Sequence, residues 1–438
     1  MKVILISTYD VEGGAARAAH RLHQGLRQIG QDVLMLSRYK VSSDDTIGRI
    51  NPLLGVGIDR LEQLQAIQDE YINANRTNLS NTLFSLPYPG FDLSQLACVQ
   101  EADIINLHWV AYFQSPHTIK KLLDLGKPIV WTLHDMWAFT GGCHYSSGCT
   151  KYKDDCGSCP QLLSDPFNIA ALVLKDKIES ILGENLTIVT PSRWLADCAR
   201  ESRLFKHNSI HVIPYGIEAD VFTPLPKPDA KQQLGIDSNK ITLLFGAGTG
   251  VELRKGFAEL VEAVQYCLEN LKFQQLVVDG LIEILCFGYP SQLLDLLAIP
   301  VRSLGVVTSD HQLRTIYSAA DYFILPSLED NLPNTMMEAM SCGTPVIAFD
   351  SGGIPDMVEN GITGRLVPTK DTRKLAHAIL DCVFDLTDRQ RMSIACREVI
   401  GNKYSISVQA ERYVSLFQKL LEPRTETSTP LMPNISTN

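Results

Sequence analysis

The chain has 438 residues, 45% of them hydrophobic, with a formal net charge of -10 and a mean hydropathy near zero. That length predicts about two to three domains, and the acidic balance excludes a general nucleic-acid binder, which needs a basic surface. No apolar run reaches the roughly 18 residues of a membrane-spanning helix, and the opening MKVILISTYD reads as a β-strand and not as a secretion signal, so a cytoplasmic protein with reduced thiols is expected.

Residues 3–7 are a short continuous apolar run, as expected of a strand buried on both faces. Gly13-Gly14 follow, then a helix carrying Ala15, Ala19, Leu22, Leu26 and Ile29 and closed by Gly30. With a strand over 33–36 this makes a βαβ unit. Residues 43–100 read as an irregular elaboration holding one amphipathic helix over 59–71. Strands recur at 104–107, 129–133 and 187–190. A linker over 211–230 contains Pro214, Gly216 and Pro224. A second alternation then begins, with strands at 241–245, 283–287, 321–325 and 346–349 and helices over 256–268 and from 372. A last helix spans 406–421, and the polar, proline-containing tail 422–438 is expected to be disordered. Alternation without hairpin signals predicts α/β architecture built on doubly wound parallel sheets. The expected division is a first domain at 1–210, a second at 231–405, and the last helix after them.

The most informative stretch is 326–353, PSLEDNLPNTMMEAMSCGTPVIAFDSGG. Asp330 lies on a loop after a strand, and Glu338 lies eight positions later in the first turns of a helix. A carboxylate and a helix start at the carboxyl edge of a parallel sheet suit a nucleotide. Glu338 can accept hydrogen bonds from a ribose diol; the alternative is an acid that only complements the helix dipole. Asn334-Thr335 start that helix, where backbone amides can meet a phosphate. Glu329 neighbours Asp330 and competes for the same role. Upstream, Gly246 to Gly250 follow a strand, and Arg254-Lys255-Gly256 open a helix. Lys255 can neutralise a phosphate as a point charge and Arg254 can offer a planar fork. Gly352-Gly353 end a strand and start a helix and are expected among the donor-binding residues, while 359–364 read as loop punctuation.

In the first half, Gly13-Gly14 sit at a strand-to-helix turn, which suits either a phosphate or a tight connection. His134 follows a strand and faces the expected cleft, where an imidazole can donate to a sugar hydroxyl or relay a proton; the alternative is a buried structural histidine. His108-Trp109 occupy an equivalent edge and read as packing. Four cysteines, Cys143, Cys149, Cys156 and Cys159, fall within 17 residues. Cys-x2-Cys is a favoured zinc pair, so structural zinc is one expectation; disulfide pairing and uninvolved thiols are the others.

With these residues in hand, the chain resembles glycosyltransferase family 4, the retaining group 1 enzymes of GT-B fold. The segment 129–162 resembles a bacterial subgroup of exopolysaccharide and cell-surface glycan assembly. The resemblance implies two facing Rossmann-like domains with a C-terminal cross-over helix. It also implies a nucleoside diphosphate sugar as donor, no required cofactor, and a glycan or lipid-linked acceptor. A lipid-linked acceptor would bring peripheral contact with the inner face of the plasma membrane, with 59–71 as the docking surface. The family's Glu-x7-Glu motif falls on Asp330 and Glu338, with Asp one methylene shorter than the usual Glu. Glu338 would hold the ribose and Asp330 the sugar hydroxyls. Lys255 matches the diphosphate lysine. The partner arginine usually lies five or six residues earlier, where this chain has Thr249-Gly250, which leaves Arg254 as the substitute. Gly13-Gly14 match the glycine turn by the phosphate, and His134 matches the cleft histidine. Two other readings of these residues are a sugar-nucleotide epimerase of similar fold and a non-catalytic glycan- or nucleotide-binding subunit.

Overall fold

The computed structural model describes residues 1–50, 58–79, 81–247, 252–288 and 292–422. Two parallel sheets organise them. The first has seven strands, β1 (Lys2–Tyr9), β2 (Asp32–Tyr39), β3 (Ile47–Arg49), β4 (Ile104–Leu107), β5 (Ile129–Thr132), β6 (Leu186–Thr190) and β7 (Ser209–Val212), in spatial order β3-β2-β1-β4-β5-β6-β7. The second has six, β8 (Ile241–Ala247), β9 (Ile282–Gly288), β10 (Val301–Ser303), β11 (Tyr322–Leu325), β12 (Val346–Asp350) and β13 (Gly364–Pro368), in order β10-β9-β8-β11-β12-β13. Every pairing is parallel, as the apolar runs and the helical crossovers require.

Successive strand residues feed opposite faces. In β1, Val3 and Leu5 pack into one core and Ile4 and Ile6 into another. In β11, Tyr322 and Ile324 face one side and Phe323 and Leu325 the other. Both sheets are thus buried on both faces, as expected of two facing Rossmann-like units.

The last helix, Ile406–Leu421, returns to the first unit. Its Ala410, Tyr413, Leu416 and Phe417 join the core formed by Val3, Leu5 and the first helix, Gly14–Gln28. Tyr413 also shares a hydrogen bond of 2.9 Å with Thr132 on β5. The approach is close enough to require glycine. A Cβ at Gly25 would lie 2.7 Å from the Ile406 carbonyl oxygen, and one at Gly216 would lie 2.7 Å from the Ile406 Cα. The chain therefore passes between the units twice, and the crossings are bonded to each other. Ile217 N donates to Tyr404 O at 2.8 Å, and Ile406 N donates to Ile217 O at 3.1 Å.

Some expected details change. The stretch 43–100 holds β3 and a helix at Ile58–Ala74, longer than the expected 59–71. Gly364 is not loop punctuation: it opens β13, where a Cβ would meet the Val346 carbonyl oxygen at 2.0 Å. Residues 248–250 of the expected glycine turn, and all but the first residue of the tail 422–438, lie outside the described residues.

Candidate functional site

Strand order reverses between β8 and β11, so the loops leaving their carboxyl ends diverge and open a crevice. The loop after β8 ends in a short turn, Leu253–Lys255, stopped by Gly256 at φ 69°. A Cβ at Gly256 would lie 1.7 Å from the Pro326 carbonyl oxygen, so only glycine lets this turn lie on the loop after β11. Leu328 N donates to Arg254 O at 2.7 Å across the same seam. That packing sets Lys255 above Asp330.

The helix Asn334–Ser341 follows, capped by Pro333 with no side-chain hydrogen bond. Asn334 and Thr335 at its start line a cavity of about 510 Å³ between the two units. The same cavity is lined by Gly13, Gly14, His134, Arg254, Lys255, Asp330 and Glu338. Nine residues singled out in the sequence are thereby brought to one cleft.

Asp330 is buried, accepts from Lys255 Nζ at 2.6 Å and from Asn331 N at 3.0 Å, and forms an ion pair with Arg254 at 3.2 Å. Burial alone would raise its carboxyl; Lys255 and Arg254 outweigh it and hold the group below the usual range. Arg254 also pairs with Glu252 at 2.8 Å and lies over the Tyr145 ring, 4.2 Å from its centroid. Among the described residues Glu329 forms no ion pair. It accepts from Ser147 N at 2.9 Å and Ser146 Oγ at 3.3 Å, and burial raises its carboxyl.

Glu338 is 3% exposed. Its Oε1 accepts from Arg21 at 3.0 Å and Arg17 at 3.4 Å, and its Oε2 accepts from Tyr317 Oη at 2.9 Å. Arg21 is held in turn by Glu218 at 2.7 Å, and Arg17 by Asp310 at 2.7 Å. Both arginines stand four residues apart on one face of the first helix. Their role was invisible in the sequence because their partners lie about 300 residues away; the i, i+4 spacing was the only available signal.

His134 is buried, and its ring is fully engaged. Asn106 Nδ2 donates to Val130 O at 2.9 Å, so its Oδ1 is left to accept from His108 Nε2 at 3.1 Å. His108 Nδ1 then accepts from His134 Nε2 at 3.0 Å, and His134 Nδ1 accepts from Tyr215 Oη at 2.7 Å. Burial pushes the His134 imidazolium pKa down to about 4, so the ring is neutral. Each ring nitrogen must give up a protein partner before it can serve a substrate.

Gly352 and Gly353 do not line the cavity. They support the donor-side loop from behind, where Gly353 N donates to Asp330 O at 2.9 Å and a Cβ at Gly352 would lie 1.8 Å from that oxygen. A second buried chain runs Ser85 Oγ to His144 Nε2 at 2.9 Å and His144 Nδ1 to Asp135 at 2.6 Å. It has the connectivity of a hydrolase triad, but Ser85 is fully buried, so it serves to fix Asp135.

The expectation of structural zinc is not supported. All four cysteines line one cavity of about 20 Å³ next to the cleft, and all are free thiols. Yet among the described residues no group of three or more His, Cys, Asp or Glu side chains is arranged to hold a metal ion.

Comparison with known proteins is consistent with this geometry. Residues 241–385 match the family described as glycosyl transferases group 1. The alpha-maltose-1-phosphate synthase of Mycolicibacterium smegmatis is 27% identical over 59% of this chain and 68% of its own length. Its Mycobacterium tuberculosis counterpart is matched over 65% of its length, so the chain spans about two thirds of these curated relatives. A putative colanic acid biosynthesis glycosyl transferase of Escherichia coli, WcaC, is 23% identical over 96% of this chain and 100% of its own. Among solved structures, sucrose-phosphate synthase from Thermosynechococcus elongatus superposes with TM-score 0.65 at 19% identity, over 96% of this chain and 98% of that one. Anabaena Alr3699/HepE, solved in complex with UDP-glucose, superposes with TM-score 0.61 at 15% identity, over 96% and 100%. At these identities the structural likeness establishes the fold.

Proposed function

We propose that the chain is a group 1 glycosyl transferase, a reading supported by the match over residues 241–385, and that it moves a hexosyl unit from a nucleoside diphosphate sugar to a hydroxyl of a glycan or lipid-linked acceptor, with retention. The single observation that carries this reading is the cleft itself. One cavity gathers a buried acid at a helix start, a lysine, a shorter-stemmed acid and a glycine turn from two facing sheets. The proposed division of labour is a first domain at 1–210 on the acceptor side and a second at 231–405 on the donor side. The likeness to WcaC, a putative colanic acid biosynthesis glycosyl transferase, supports a place in surface or exopolysaccharide synthesis.

Glu338 takes the donor ribose, exchanging its hydrogen bonds to Arg17 and Tyr317 for hydroxyl donors. The diphosphate lies between Lys255, the Asn334-Thr335 amides and the Gly13-Gly14 turn. As the sugar–phosphate bond breaks, charge grows on the outer phosphate. Lys255 moves from Asp330, 2.6 Å away, onto that charge, while Arg254 keeps Asp330 ionised. Asp330 is then free to accept from sugar hydroxyls. His134 lines the sugar side and trades one protein hydrogen bond for one to the sugar. The acceptor oxygen attacks from the face the phosphate leaves, and the leaving phosphate oxygen takes its proton. No protein nucleophile is invoked. Contacts across the cleft, such as Ser192 Oγ to Asn331 Oδ1 at 2.6 Å, keep water from the donor when the units are closed.

Among the described residues no helix is long and apolar enough to cross a membrane. Any meeting with a lipid-linked acceptor is therefore proposed as peripheral, through the helix Ile58–Ala74, where Leu64 and Ile67 are exposed. The test is a thermal-shift panel of UDP-, GDP- and ADP-sugars, since a ligand of the folded state raises its melting temperature. Transfer to a hydroxyl acceptor with retained anomeric configuration follows from the reading. Interconversion of the donor sugar without acceptor would overturn it.

A further inference from the structure

The segment read in the sequence only as a cysteine loop reaches across the cleft. Tyr145 stacks on Trp194, with ring centroids 6.3 Å apart and planes 13° from parallel. The Arg254 guanidinium lies over the same ring, 4.2 Å from its centroid. Gln161 Nε2 fixes the backbone by donating to Tyr145 O at 2.8 Å. The next two residues bind Glu329 through Ser146 Oγ and Ser147 N. The ring is therefore held rigidly in the wall of the cleft.

Its hydroxyl points at Asp330, with Oη 3.4 Å from Oδ1. That contact is long for an O–H···O hydrogen bond, whose usual span is about 2.5–3.0 Å. Asp330 and Tyr145 both line the cavity. A hydroxyl donor and a carboxylate acceptor, slightly too far apart for each other, remain side by side. A sugar hydroxyl is both donor and acceptor. Set to one side of the pair and bridging both oxygens, it would donate to Asp330 and accept from Tyr145, adding two contacts of normal length.

We infer that Tyr145 is a specificity-determining residue for the donor sugar, reading with Asp330 one hydroxyl of the hexose. This rests on the donor-site reading above. It predicts a preference for donors bearing that hydroxyl over their deoxy analogues, because a site built for a hydroxyl is left unsatisfied by its absence. The preference would be set jointly by both halves of the molecule.

The experiment compares UDP, GDP and ADP with their glucose conjugates by calorimetry, on the wild-type chain and on Tyr145→Phe, Asp330→Glu and the double variant. Tyr145→Phe should weaken the sugar nucleotide by about tenfold, the effect of one hydrogen bond, and leave the bare nucleotide unchanged. Asp330→Glu should push its carboxylate toward the phenol and weaken the sugar nucleotide too, and the double variant should recover part of that loss. Equal weakening of nucleotide and sugar nucleotide, or strict additivity of the two changes, would assign Tyr145 a structural role and overturn the inference. A wild-type chain that binds none of the six compounds would instead overturn the donor-site reading on which it rests.

Discussion

Replacing Glu338 by Gln keeps the side chain's size and removes its charge. The consequences can be worked from its contacts. The carboxylate is buried and shared by Arg21 at 3.0 Å, Arg17 at 3.4 Å and Tyr317. At an effective dielectric constant of about 20, unit charges about 3 Å apart attract by roughly 5 kcal/mol. Desolvation offsets much of this, and loss of one partner from a buried pair costs about 3–5 kcal/mol. Each arginine keeps a second acid, Glu218 or Asp310, so the low end applies. A loss of about 3 kcal/mol corresponds to a melting temperature lower by roughly 6–12 °C. On the donor side, two charge-assisted hydrogen bonds from a ribose diol are lost, and an amide N–H now faces a hydroxyl. A penalty of about 2–3 kcal/mol, or roughly 30- to 150-fold in affinity, follows. Melting of the ligand-free variant and calorimetric titration with the nucleotide that best stabilises the wild type check the two parts separately. A variant that melts like the wild type and binds the nucleotide equally well would refute both the ion-pair arithmetic and the ribose assignment.

Three further outcomes are expected. Lys255→Met should lower kcat about 10²- to 10³-fold, because the lysine meets the charge that grows as the phosphate leaves; single-turnover rates decide, and an unchanged rate sinks the leaving-group role. Gly25→Ala, which helix propensity alone would favour by about 1 kcal/mol, should instead destabilise by about 1–3 kcal/mol, because its methyl meets the Ile406 carbonyl oxygen. Denaturant titration gives the sign, and stabilisation would mean that the last helix does not dock there. His23 and His134 are both pushed down to about 4 by burial. Their folded values lie below the unfolded one, so the stability linked to them is complete above about pH 6.5 and is lost as pH falls toward about 4. His23→Gln, which keeps an N–H near Thr46 Oγ1, should reduce the dependence of unfolding free energy on pH between about 7 and 5 by up to roughly 1.4 kcal/mol per pH unit. An unchanged slope would contradict a neutral, buried His23.

The fold was readable wherever strands are buried on both faces. The runs at 104–107 and 322–325 coincide with β4 and β11, because continuous apolar sequence has no other stable place in a doubly wound sheet. The edge strands β3 and β10 are short and half-exposed, and carried no such signature. The donor-side acids were readable because strand, loop, acid and helix start follow one another in the chain. Tyr145, Arg17 and Arg21 were not, since each is defined by a partner in the other unit, and no local pattern records a contact between residues so far apart in sequence. Gly352-Gly353 show the same limit: their small size accommodates the carbonyl oxygens of Asp330 and Asn331, a contact no local pattern records. The neutral, doubly bonded state of His134 likewise depends on His108 and Tyr215, which arrive from other loops.

The two passages of the chain between the units, joined at Ile217 and at Tyr404 and Ile406, have a mechanical meaning. A single tether would let one unit swing, slide or twist against the other. Two tethers pinned side by side behave as a door hinge: they leave one easy rotation and stiffen the rest. Opening of the cleft should then be described by a single angle. Distance probes at its two ends would report the same rate, and the acids of one unit would meet the arginines and Tyr145 of the other in the same register at every closure.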